Sequence, residues 1–77
     1  MTKQEFLNGK EFTLKGKNSN VFYKYERGLI SELYYYKGRV IADSYECNVD
    51  KIGTKYFTFF TFCLNKKVSG KINFSEL

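Results

Sequence analysis

Residues 29–64 read LISELYYYKGRVIADSYECNVDKIGTKYFTFFTFCL. Ile, Val, Thr, Tyr and Phe dominate the stretch, and the whole chain has no proline. Such side chains fit a pleated surface, and polar glycine-containing interruptions at Lys37-Gly38 and at 50–54 mark reversals. Glycine also supplies the positive φ of a two-residue hairpin turn. The stretch therefore predicts three antiparallel strands at 29–36, 39–49 and 55–64. A turn at Lys37-Gly38 sets Tyr35 opposite Val40, Leu33 opposite Ala42 and Glu32 opposite Asp43. A turn centred on Ile52 sets Cys47 opposite Phe57 and Ile41 opposite Cys63, so the two thiols lie roughly 20 Å apart along the sheet. That is beyond disulfide reach, and free thiols are expected.

On these registers Ile30, Tyr34, Ile41, Cys47, Phe57 and Phe59 share one face, while Leu33, Tyr35, Val40, Phe60 and Phe62 share the other. Both faces are apolar, whereas a meander with one wet face alternates more cleanly. Barrel closure or dimerisation covers both faces, exposure leaves aromatics on the surface, and a β-bulge shifts the parity.

Outward from this centre, 21–26 (VFYKYE) reads as a strand joined to the next by Arg27-Gly28, and 71–74 reads as a last strand after a loop at 65–70. Before them, 10–15 alternates Phe12 and Leu14 with polar residues and is expected as a first strand. Thr2-Lys3-Gln4-Glu5 has the form of a helix capping box, which predicts one or two helical turns over 3–8 with Phe6 and Leu7 plugging one end of the sheet. The fold class that follows is all-β, a five- to six-stranded antiparallel meander, strongly curved or closed into a small barrel, with a short N-terminal helix. An open α+β sheet is the runner-up. The 77 residues make one domain, 1–77, whose size leaves a thin core that eight Phe and seven Tyr must fill.

Thirteen Lys and Arg against eight Asp and Glu give a net charge of +5. Residues 1–40 hold eight of the cations and four of the acids, so the excess lies in the first half. The sign favours a polyanionic partner. Catalytic readings find little. There is no His, the glycines are isolated, and Cys47 and Cys63 have no close ligand partners. The expectation is no enzyme, no metal and no cofactor, and no membrane segment. The first ten residues lack the pattern of an export signal, and with free thiols this points to the cytoplasm.

What the residues offer is rings interleaved with cations. Tyr23, Lys24, Tyr25 and Arg27 form one run, and Tyr35, Tyr36, Lys37 and Arg39 form another. Tyr and Arg are enriched where proteins meet, and rings with cations also hold single strands. The reading is a non-catalytic binding protein that docks on a host protein or nucleoprotein through these residues, with a homodimer as one arrangement. The abundance of Lys, Asn, Ile, Phe and Tyr, residues of A/T-rich codons, and the small size suit the inhibitors that phages and mobile elements encode, anti-CRISPR proteins among them, by analogy alone. The alternatives are a single-stranded RNA- or DNA-binding small β-barrel, and a small-ligand barrel or structural subunit.

Overall fold

Three two-residue turns order the sheet. Arg27-Gly28, Lys37-Gly38 and Leu64-Asn65 all have positive φ at both positions, between 51° and 85°, the backbone that lets a hairpin follow the natural twist of its strands. The computed structural model, which describes residues 1–77, is a curved, open antiparallel sheet of five strands in meander order. They are β1 (Val21–Glu26), β2 (Leu29–Tyr36), β3 (Arg39–Ile52), β4 (Tyr56–Cys63) and β5 (Lys66–Asn73), preceded by helix α1 (Lys3–Leu7) and followed by a 3-10 turn at Phe74–Glu76. No helix is long and apolar enough to cross a membrane.

The all-β expectation with a short N-terminal helix holds. The sheet curves without closing, and several details differ from the sequence reading. The expected strand at 10–15 shrinks to one bridge, in which Phe12 and Tyr23 exchange 2.8 Å backbone hydrogen bonds. A turn from Leu14 to Lys17 then lifts the chain off the edge. The last hairpin turns at Leu64-Asn65, not over 65–70, because Gly70 is a strand residue opposite Phe59. A Cβ at Gly70 would stand 2.7 Å from the Phe59 ring, so this glycine makes room for an aromatic. β3 also runs on to Ile52, which pairs with Phe57, so Cys47 is not opposite Phe57.

β3 carries three extra residues. Ile41 and Glu46 have no counterpart on β2, and Asp50 has none on β4. Each bulge bends the strand, sharpens its twist and resets which side chains share a face. Both faces keep apolar residues, but the bulges change which of them stand together. Tyr45 stands opposite Ser31 and so shares a face with Leu33, Ser44 rather than Asp43 stands opposite Glu32, and Cys47 keeps the expected face of Ile30.

The inner face is the one that α1 covers. Thr2 and Glu5 close the expected capping box, and α1 inserts Phe6, which is fully buried. Its ring stacks on Phe57 at 4.5 Å and on Tyr25 at 4.9 Å, with Phe74 and Phe12 tilted beside it. Leu7 stays 39% exposed, since neighbours on a helix point in different directions, so Phe6 alone is the plug. Val21, Tyr23, Ile30 and Cys47 complete the core, while Leu33 is buried apart from it on the outer face.

Candidate functional site

The turns place Arg27-Gly28 at one end of the sheet and Lys37-Gly38 at the other, separated by the eight residues of β2, roughly 24 Å. The sequence-predicted binding set therefore divides. Lys24, Tyr25 and Arg27 line an open cleft of about 350 Å³ with Leu7, Asn8, Gly9 and Glu26. Lys24 there lies 3.6 Å from the Glu26 carboxylate, and Tyr25 is half-buried on Phe6. Tyr35, Tyr36, Lys37 and Arg39 gather at the far end. Tyr35 is half-buried, packs edge-on against Phe22 at 5.1 Å and donates to the Glu11 carboxylate at 2.5 Å. Tyr36 is 60% exposed, with the Lys37 ammonium 5.4 Å from its ring centre.

Tyr23 does not belong on a contact surface. It is fully buried, and its hydroxyl donates to Glu32 at 3.0 Å. Burial first, and then the Glu32 carboxylate, push that hydroxyl's pKa well above the usual tyrosine value. Around Glu32 lies a cluster that the sequence did not disclose. Tyr34 donates to its second oxygen, and the Glu46 carboxylate of β3 is near enough for the two to shift each other's titration. The Tyr34 hydroxyl is the chief influence holding Glu32 below the usual carboxylate range, while desolvation and then Glu32 hold Glu46 above it. The register is slipped so that Ser44 stands opposite Glu32 where the turn alone would put Asp43, and the carboxylate acting on Glu32 is that of Glu46, a bulge residue that strand alternation could not have placed.

Glu46 also lines a small cleft on the inner face with Phe12, Leu14, Ile30, Cys47, Phe57, Phe59 and Ile72. Its volume is about 90 Å³, whereas small-molecule sites span roughly 300–1,000 Å³. Both thiols are free, with Cys47 buried and Cys63 exposed. No three His, Cys, Asp or Glu side chains converge as metal ligands would.

The sheet's least covered region is the end that carries Lys37-Gly38. The β3–β4 ladder runs only from Ile52–Phe57 to Asn48–Phe60. Beyond it, β2–β3 and β4–β5 continue as two separate hairpin arms. One arm exposes Tyr36, Val40, Ile41 and Tyr45, and the other exposes Phe62, Leu64 and Val68. Lys37 and Arg39 stand at the first tip, and Lys66 and Lys67 follow the second. The sequence pointed to the first tip, but Leu64 was hidden by being read as a strand residue.

No protein-family model, curated protein or solved structure matches the chain.

Proposed function

We propose that the chain is a non-catalytic docking module that seats the tips of its two arms on a host protein or nucleoprotein. Leu64 carries this reading. It is the first residue of a turn with φ of 51°, a position that favours Asn, Asp or Gly. A leucine in this left-handed backbone costs roughly 1–2 kcal/mol. At 93% exposure it gains no burial within the chain to offset that cost. Arg27 and Lys37 take the same φ at the matching turn positions, so what sets Leu64 apart is a large apolar side chain left 93% exposed there, which contact with something outside would explain.

Single exposed apolar residues are ordinary, so the grouping matters. Ile41 and Phe62, each 64% exposed, stand in the same two arms. Tyr36, Lys37 and Arg39 are the part of the sequence-predicted set that belongs here. With Lys66 and Lys67 they favour an acidic partner surface and fast encounter. The inhibitory role of phage-borne proteins such as the anti-CRISPRs suits a small cationic module by analogy. The two free thiols suit the cytoplasm.

Leu64→Asn separates docking from folding. It relieves the turn and is expected to raise stability by about 1 kcal/mol, while a tagged chain loses the cross-linked partner that the unaltered chain retains from lysate of the source cells. Ile41→Ser is expected to lose the same partner with little change in melting temperature. Should Leu64→Asn melt lower than the parent, or capture the partner equally well, the leucine serves the fold and the arms are not the contact.

A further inference from the structure

β4 alternates without a bulge along its pairing with β5, sending Phe57 and Phe59 to the inner face and Tyr56, Thr58, Phe60 and Phe62 to the outer one. The rings that close the core, Phe6 and Phe74, meet β4 through Phe57 and so lie on the inner side. On the outer side Phe60 and Phe62 stand 6.1 Å apart, edge to face. Two lysines of β5 sit over this row. Lys67 places its ammonium 4.7 Å from the Phe60 ring centre, and Lys71 is 5.2 Å from that of Tyr56. Lys51 shares the face through its pairing with Thr58.

The acids are distributed differently. Glu32 lies with its partner Tyr23 on the inner face, and Glu46 lines the inner cleft. Glu26 and Asp43 pair onto the outer face, but on the edge strand β1 and on the arm of β3, while exposed Asp50 adjoins Lys51 in the chain. The outer side of β4–β5 is therefore a row of rings with lysines above it and no carboxylate on either strand's outer positions.

We infer that this outer face of β4 and β5 binds single-stranded nucleic acid. Alternate residues on a strand stand roughly 6.8 Å apart, a spacing at which Phe60 and Phe62 can each meet a base of an extended strand. Every base has a flat face, so the site is tolerant of sequence, while Lys51, Lys67 and Lys71 neutralise phosphates. A duplex hides those faces inside its own stack and offers only phosphates. The inference shares Phe62 and Lys67 with the arms proposed above but needs neither Leu64 nor Ile41, so Leu64→Asn and Ile41→Ser tell the two readings apart.

The test is fluorescence anisotropy of a labelled 15-nucleotide oligothymidine or oligouridine with the full chain. Three phosphate contacts predict an affinity that weakens about 20-fold between 50 and 200 mM salt. Phe62→Ala, at an exposed position, is expected to weaken binding on the order of tenfold, and Lys67→Glu with Lys71→Glu to abolish it at 200 mM. Leu64→Asn should bind as the parent does. All variants are compared at matched melting curves, so that unfolding is read separately. Absence of binding at 50 mM salt, equal affinity for a duplex of the same length, or indifference to Phe62→Ala would each overturn the inference. Preferential binding of an oligoglutamate peptide would do so too, by making the face an acidic-protein contact.

Discussion

Phe6→Ala should remove much of the stability of this protein, although the residue sits on a helix of only five residues. Phe6 is fully buried and holds four aromatic neighbours, Phe57 at 4.5 Å, Tyr25 at 4.9 Å, Phe74 at 5.2 Å and Phe12 at 6.0 Å. Truncating a buried Phe costs about 3–5 kcal/mol. The upper part of that range applies, because two stacked contacts go with it. A chain of 77 residues has roughly 4–12 kcal/mol in total. At ~4–8 °C per kcal/mol, the melting temperature should fall by about 16–40 °C. Urea titration followed by circular dichroism measures the loss directly. The comparison that gives it meaning is Leu7→Ala, one residue along and 39% exposed, which should cost less than about 1 kcal/mol. If Phe6→Ala costs under about 1.5 kcal/mol, or Leu7→Ala costs as much, α1 is not docked as described and the aromatic core is held by the sheet alone.

Other consequences are as direct. Glu46 has a folded-state pKa above the ordinary value of 4.5, from burial and from Glu32, so ionising it opposes folding at neutral pH. Glu46→Gln should therefore stabilise by a few tenths to about 1 kcal/mol at pH 7, the half-exposed site being partly screened. The gain should shrink through the folded pKa and vanish below pH 4.5, where the carboxyl is protonated in both states. Glu32 has the opposite sign, since its depressed pKa favours folding above the unfolded value and is lost in acid. Glu32→Gln should destabilise at pH 7, and a gain on thermal melting would refute the assignment of Tyr23 and Tyr34 as its donors. Cys63 is exposed while Cys47 is buried with its thiol pushed up to about 11, chiefly by desolvation. Iodoacetamide at pH 8 should add one group per folded chain by mass spectrometry, and two only in denaturant.

Strand content was legible because it rests on local chemistry. Lys37-Gly38 and Arg27-Gly28 needed only a glycine between ring-rich runs, and Thr2 with Glu5 needed only their spacing. The errors fall where a residue's role depends on a distant partner. Gly70 looked like a turn because glycine usually is one, and the ring of Phe59 that needs its space is eleven residues away in the sequence. Leu64 looked like the end of a strand because leucine is rarely asked to take positive φ. Ile41, Glu46 and Asp50 are ordinary strand residues by composition, and no local signal marks them as insertions. The site followed suit. Tyr36, Lys37 and Arg39 were visible as a ring-and-cation run, while Tyr23 satisfied the same pattern and proved to be core.

The bulges of β3 connect these observations into one cause. A strand of 14 residues without them would pair with β2 and β4 along its whole length in a flatter sheet. Three insertions bend it, and its two halves then serve different neighbours, Arg39–Asn48 pairing with β2 and Asn48–Ile52 with β4. The arms diverge because of that division. Backbone left open along Arg39–Cys47 and Thr61–Cys63 would invite further strands to pair, and bulges at Ile41 and Glu46 are among the devices that blunt such an edge. The same irregularity therefore discourages self-association through backbone pairing while leaving the arm side chains available. Recognition by this protein should accordingly run through its side chains, with Leu64, Ile41 and the outer rings of β4 as the positions at which substitution changes binding before it changes folding.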